Sequence, residues 1–235
     1  MTSALILERF HLVLSRVERD DIEVIRQGRN AEHVRTMHVY QDEITPSQQE
    51  AWFIRIDTEW NYFFVIHHKG KKVGVVYVSE FTPQMATSNC GVFIWDHDTL
   101  GTRVPLMAIL TVLDFFFFDL EGGGTSSVVL RSNSAALRMN EFFGFRFEPG
   151  PTDELVRVSM DRSLYLEHRE RLMAFARRAV KDPAAFPLRL RGAPSPKLFA
   201  VINERLAALS GVRGAADDDN DNAAARGPMV HDHAG

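Results

Sequence analysis

Apolar and polar residues alternate over residues 11–19 (H-L-V-L-S-R-V-E-R), the period of a half-buried strand. Asp20 and Asp21 then precede Ile22, Val24, Ile25 and Arg29 at helical spacing, and carboxylates suit the positive end of a helix dipole. Thr45 before Pro46 predicts a second helix, with Thr45 as N-cap, Pro46 at the first helical position, and Ala51, Trp52, Ile54 and Ile56 on or near its inner face. Residues 61–67 (N-Y-F-F-V-I-H) and 73–80 (V-G-V-V-Y-V-S-E) read as strands of a hairpin turned at Lys69-Gly70-Lys71. A loop at 82–89 leads to a strand at 90–95 (C-G-V-F-I-W), and a linker at 96–104 leads to an apolar helix at 105–120. Gly122-Gly123-Gly124 ends that helix and feeds a buried strand at 126–131 (S-S-V-V-L-R).

Residues 133–145 (N-S-A-A-L-R-M-N-E-F-F-G-F) form one coherent unit. Asn133 can cap a helix whose packing face holds Ala136, Leu137 and Met139, and Gly144 can take the left-handed conformation that ends it. Strands follow at 145–147 and 154–160, so the order is β-α-α-β-β-β-α-β-α-β-β. That order predicts an α/β fold with a mixed sheet flanked by helices on both faces. Beyond residue 162 the chain changes character. Residues 164–181 form a basic amphipathic helix that can lie on the domain or across a dimer, with a solvated arginine face. Residues 183–197 are proline-rich, 198–209 suit a short helix, and 214–235 lack an apolar period and read as a disordered acidic tail. The expected organisation is a domain at 1–162, a helical extension at 163–213 and the tail at 214–235.

Composition narrows the classes. The chain has 235 residues, 45% of them hydrophobic with 17 phenylalanines, enough for a full core. With 27 basic against 31 acidic residues there is no cationic field for nucleic acid. Cys90 is the single cysteine, so no intrachain disulfide forms, and a cytoplasmic setting is the simplest. The first eight residues lack the basic and long apolar regions of a signal peptide. Asp114 and Asp119 interrupt the most apolar helix, so no membrane span is expected. His231-Asp232-His233, in so polar a tail, reads as inert, and no metal is expected.

The strand–Asn–helix–Gly-Phe–strand unit and the element order resemble the GNAT acyl-CoA N-acetyltransferases over roughly residues 9–162. The resemblance implies a mostly antiparallel central sheet and acetyl-CoA as co-substrate. It places Phe93, Ile94 and Trp95 beside the pantetheine arm and Asn133 facing the coenzyme. The family's pyrophosphate loop, Arg/Gln-x-x-Gly-x-Gly/Ala, falls here on Leu100-Gly101-Thr102-Arg103-Val104-Pro105. Gly101 is kept, but Arg103 and Pro105 stand where small residues are usual. Pro105 removes one N–H donor. Arg103 either replaces that donor with a guanidinium on a phosphate, or marks a degenerate site in a non-catalytic relative.

The reaction needs a neutral amine, a polarised thioester carbonyl and a proton for the leaving thiolate. Many relatives place an acid Tyr seven residues after the Asn; here that position is Asn140, which can hydrogen-bond to a thiolate but not protonate it. Direct transfer follows, with Glu80 as the first candidate base and His67 as the second, both at strand ends. Cys90 lacks a paired histidine in sequence and is discounted as a nucleophile.

Residues 29–53 carry the clue to the acceptor. An Arg-Asn start, a Met-centred linker and Ile-Thr followed by Trp-Phe look like two GNAT branches. One acetylates ribosomal-protein N-termini. The other acetylates UDP-linked 4-amino-4,6-dideoxy sugars, as in pseudaminic acid biosynthesis for flagellin glycosylation, and is the branch favoured here. Arg29, Arg35, His38, Tyr40 and Trp52 supply the cationic and aromatic contacts such an acceptor needs. Trp52 and Phe53 suit a packed core as well.

Overall fold

The computed structural model describes residues 5–58, 60–80 and 87–192. The helix expected at 198–209 and the tail expected at 214–235 lie outside them. Strands are β1 (Ile6–Arg9), β2 (Leu12–Arg16), β3 (Tyr62–His68), β4 (Lys71–Ser79), β5 (Thr87–Ile94), β6 (Gly124–Leu130), β7 (Arg146–Pro149), β8 (Leu155–Asp161) and β9 (Arg189–Arg191). Helices are α1 (Ile22–Asn30), α2 (Glu32–Arg35), α3 (Pro46–Ile56), α4 (Val104–Asp114), α5 (Ser134–Phe143) and α6 (Arg162–Ala179). The strands form a sheet ordered β7-β8-β6-β5-β4-β3-β2-β1-β9. Every neighbouring pair in it is antiparallel except β5 and β6. This is the mixed, mostly antiparallel architecture the element order implies.

Local chemistry explains the elements. The β3–β4 hairpin closes through Lys69 and Gly70 at φ 51° and 76°, the paired positive values of the tight turn that matches strand twist. Thr45 caps α3 through a reciprocal capping box with Gln48. Asn133 accepts the Ala136 N–H at 3.0 Å to start α5. At the other end of α5, Gly144 at φ 87° lets the Gly144 and Phe145 N–H groups both reach the Asn140 carbonyl. A Cβ on Gly144 would lie 1.9 Å from the His168 ring, so glycine is required there on two grounds.

The sheet buries both faces at its centre. Val65 and Val75 pack with Val17, Ile25 and Phe53 beneath α1 and α3. On the opposite face α4 crosses β2, β4 and β5, and because it is buried on nearly all sides it reads as apolar throughout. The single helix expected at 105–120 stops at Asp114 and continues as a π-helical turn over Phe115–Asp119. There Leu120 donates to the Phe115 carbonyl at 3.0 Å, and the Phe116 ring presses on Gly122.

Two edge strands escape the sequence pattern. β1 pairs with β2 through Phe10 and His11, both at positive φ (55° and 60°) without the Gly, Asn or Asp that announces such a turn. Packing holds the turn instead, with Phe10 edge-on to Phe186 at 5.6 Å and its N–H on the Ala185 carbonyl at 2.7 Å. β9 pairs with β1 and completes that edge. Residues 163–192, the described part of the helical extension read from the sequence, lie in the same compact unit as the sheet, which runs to Gly192. Among the described residues no helix is long and apolar enough to cross a membrane.

Asp114, at the end of α4, joins three elements. It accepts from Arg9 of β1 at 2.5 Å, from the Tyr165 hydroxyl of α6 at 2.6 Å, and from Arg169 through two bonds at 2.7 and 2.9 Å. Burial alone would raise its pKa, but the bonds from Arg169, Tyr165 and Arg9 outweigh burial and hold it below the usual carboxylate value. A depressed carboxylate stabilises the fold above its unfolded pKa and loses that contribution as pH falls through its folded value. Asp114→Ala strands the buried Arg9 charge and is expected to cost about 3–5 kcal/mol. Denaturant unfolding near pH 7 measures that loss, and the variant's stability should change less than the wild type's on acidification below about pH 4.

Candidate functional site

The one parallel contact in the sheet is short. β5 and β6 pair only at Thr87 with Gly124 and Ser88 with Thr125, and beyond these residues they diverge. The Ser127 hydroxyl stitches the start of the gap. It accepts from the Cys90 N–H at 3.4 Å and directs its one proton to the Asn89 side-chain oxygen at 2.6 Å or the Cys90 carbonyl at 2.8 Å. Both backbone groups of Cys90 thus face β6. Backbone orientation repeats every second residue, so the Val92 N–H also faces the opening, with no strand across it. A backbone donor there can polarise a carbonyl held in the gap.

At the mouth of the gap a loop leads into α4. Gly101 sits at φ 73° with no atom within 4 Å of where a Cβ would be. Thr102 donates its hydroxyl to the Thr99 carbonyl at 2.7 Å and accepts the Val104 N–H at 3.3 Å. The Gly101 and Arg103 N–H groups have no acceptor among the described residues. Arg103 is exposed, with its guanidinium 5.8 Å from the Phe175 ring. Pro105 occupies the first turn without bending α4. Free N–H groups, a helix N-terminus and a mobile-length cation fit a diphosphate, so Gly101, Thr102, Arg103 and Val104 are suited to hold that part of coenzyme A.

Some expected coenzyme contacts are committed elsewhere. Ile94 is buried on the α4 face against Gly74, and Trp95 packs on Gly28 of α1 with its indole N–H on the Lys72 carbonyl at 3.0 Å. Ile94 points to the face opposite Phe93, and Trp95, on the Phe93 face, is packed on Gly28, so of the three only Phe93 lines the cavity. Asn133, besides capping α5, donates to the Met37 carbonyl at 3.0 Å and so ties the gap to the loop before α3. Asn140 donates one side-chain N–H to the Ala136 carbonyl one turn back at 2.8 Å, which leaves its second N–H for another acceptor.

A cavity of about 610 Å³ opens beside the gap on the α1–α3 face, and Arg29, His38, Tyr40 and Trp52 all line it. Four residues singled out from sequence are therefore brought to one wall system. Arg29 donates to the Tyr40 carbonyl at 3.1 Å, while its other terminal nitrogen is buried without a partner. Burial lowers the Arg29 pKa, with the Tyr77 hydroxyl acting in the opposite direction. His38 meets the Phe93 edge at 5.5 Å, and burial together with the Arg29 charge pushes its pKa down to about 4, so the ring is neutral near pH 7.

Tyr77 and Gln49 are among the lining residues that the sequence did not single out. Tyr77 stacks on Phe63 with centroids 4.7 Å apart and lays its hydroxyl over Gly91, where a Cβ would come within 2.6 Å of the oxygen. Burial, reinforced by Cys90 and Glu80 and opposed by Arg29, pushes that phenol up to about 12. The available signal was the pairing of an aromatic strand residue with a glycine on the next strand. Gln49, 4% exposed, lines the cavity with its amide nitrogen unpartnered. It was hidden as an ordinary polar residue in an amphipathic helix.

Of the candidate bases, Glu80 follows Ser79, a cavity residue, at the end of β4. Its backbone takes φ 60°, an uncommon value for a side-chain-bearing residue, fixed by its N–H on the Asn61 side-chain oxygen at 2.9 Å. His67 lies at the far end of β3, bonded to Ser15 at 2.8 Å, and does not line the cavity. Burial raises the Cys90 thiol to about 12, which agrees with an inert cysteine. Among the described residues no cluster of His, Cys, Asp and Glu can hold a metal.

Comparison with known proteins accounts for this geometry. No curated protein sequence matches the chain. A GCN5-related N-acetyltransferase from Brucella melitensis has the same fold, with TM-score 0.60 and 18% identity over 77% of this chain and 89% of its own. Vibrio cholerae spermidine N-acetyltransferase, solved with CoA and spermine, gives TM-score 0.57 and 20% identity over 66% and 98%. Mycobacterium smegmatis RimJ, solved with CoA-disulfide, gives TM-score 0.57 and 15% identity over 71% and 94%. The model of the acetyltransferase (GNAT) domain matches residues 11–146, more than half of the sequence. With the splayed strands, the loop at Gly101 and the Asn133 helix in their places, the chain belongs to the GNAT family and is an acetyl-CoA-dependent N-acetyltransferase.

Proposed function

We propose that the acceptor is the amine of a nucleotide-linked amino sugar of the UDP-4-amino-4,6-dideoxy type, as used in pseudaminic acid biosynthesis for flagellin glycosylation. The observation that carries this reading is the cavity beside the gap. Arg29, Arg55, Tyr40, Trp52 and Phe93 line it, and no aspartate or glutamate is among its described lining residues. Cations and aromatic faces suit a diphosphate and a base. A polyamine such as the spermine of the Vibrio structure would meet like charge there. A second reading, a peptide N-terminus, is favoured by the apolar rim, where Met37, Val39 and Tyr40 are 46%, 54% and 46% exposed. Either acceptor would meet acetyl-CoA in the cytoplasm.

Acetyl-CoA, when bound, supplies an acetyl group activated as a thioester. The chain's own residues do the rest. Gly101, Thr102, Arg103 and Val104 hold the diphosphate, and the Val92 N–H faces the gap as a donor. Asn133 keeps the acceptor loop against the coenzyme side. Glu80 takes the proton of the incoming amine, directly or through water. Tyr77 stays a neutral phenol, a fixed donor at the floor of the site. Transfer is direct, since Cys90 stays a thiol, and with no acid at Asn140 on α5 the proton for the leaving thiolate comes from water or from the amine itself.

Acetyl-CoA should raise the thermal midpoint, since a ligand at about 100 times its Kd adds about 2.7 kcal/mol. Arg103→Ala should weaken acetyl-CoA binding about 3- to 10-fold by the same titration, and unchanged affinity would remove Arg103 from the phosphates. Glu80→Gln should lower kcat by about 10²- to 10⁴-fold with acetyl-CoA affinity kept, while His67→Gln leaves kcat within about twofold. The reverse pattern moves the base to β3. Because His38 titrates near pH 4, the kcat/KM profile between about pH 5.5 and 8 should carry no step that His38→Gln abolishes.

A further inference from the structure

We infer that the acceptor carries, besides its amine, an anionic oxygen group, a carboxylate or a phosphoryl, and that Arg29 and Gln49 form the two-donor subsite that holds it. The inference rests on reading this cavity as the acceptor site. Two buried donors at its wall have no acceptor among the described residues: one terminal nitrogen of Arg29 on α1 and the amide nitrogen of Gln49 on α3. Buried donors are ordinarily satisfied, and an unmade bond at each of two neighbouring elements marks a place completed by something else. The guanidinium is already fixed in direction, because its other nitrogen is spent on the Tyr40 carbonyl.

The surroundings choose the sign of that missing partner. The described lining residues include no carboxylate, and His38 is neutral through burial and the Arg29 charge itself. Tyr77 keeps its proton. Arg29 has no ion-pair partner among the described residues, Glu80 beyond Ser79 included. A guanidinium and an amide NH₂ present donors only, so the complementary group must bring accepting oxygens, and an anionic one also balances the charge. A polyamine brings further donors and further positive charge, and would leave both nitrogens unpaired.

Matched amines test this on the full chain with acetyl-CoA present. Lysine adds only a carboxylate to 1,5-diaminopentane, and phosphoethanolamine adds only a phosphoryl to ethanolamine. Binding is read from the thermal midpoint and turnover from release of the CoA thiol. In at least one pair the anionic member should bind about 10- to 100-fold more tightly, and the pair that responds names the oxygen group. Arg29→Gln and Gln49→Leu should each erase most of that preference through KM, while acetyl-CoA still raises their midpoints and so reports an intact fold. Equal or absent binding within both pairs, or a preference that survives both substitutions, would overturn the subsite. Turnover of a UDP-linked amino sugar that both variants retain would spare the proposed acceptor and remove this subsite. Preference for lysine with no turnover of the UDP sugar would do the opposite.

Discussion

Everything at the working end follows from a parallel strand pair held together by only two residue positions. Parallel neighbours cannot be joined by a hairpin, so a crossover must intervene. Here the crossover is α4, and its N-terminus is consequently delivered to the mouth of the opening. Strand twist then has no ladder to oppose it past Ser88 and Thr125. Backbone groups that a continuous sheet would satisfy are left facing a wedge-shaped space. Ser127 absorbs those nearest the closed end. The rest form a site without any side chain having to be placed there.

The acceptor wall is built by a different logic. Aromatic rings from β3, β4 and β5 form its floor, and their packing against each other fixes Tyr77 and Phe93 in position. Onto this low-dielectric floor α1 extends one cation. Burial sets the protonation of its neighbours. The Arg29 charge adds to the depression of His38 and opposes the rise of Tyr77.

What could be read from the sequence was what local chemistry encodes. The capping box of α3, the Lys69-Gly70 turn and the Asn133-to-Gly144 helix carry their own signals, and each stands where those signals put it. Phe10-His11 carries none, because its turn is enforced by a segment about 175 residues away in the chain, at Ala185 and Phe186. The three-residue β9 is too short for a period. The π-helical turn follows from how a run of four phenylalanines must pack, which periodicity does not record. At the site, Arg29, His38, Tyr40 and Trp52 were singled out because residues 29–53, from the end of α1 into α3, resemble the acceptor segment of two family branches. Tyr77 and Gln49 were not, since their meaning lies in what faces them. Ile94, Trp95 and Asn140 were assigned by position in a family pattern; Ile94 points to the face opposite Phe93, Trp95 packs on Gly28, and Asn140 gives one N–H to its own helix.

The Asp114 junction separates two ideas of where this protein ends. The acetyltransferase family model matches residues 11 to 146. Mechanical integrity does not respect those limits. Arg9 lies before the first of them, Tyr165 and Arg169 lie after the second, and all three converge on one carboxylate between. The transferable module, as kinship draws it, is smaller than the smallest piece that would hold its shape. A graft or truncation planned on family boundaries would remove the clasp and keep only what the clasp secures.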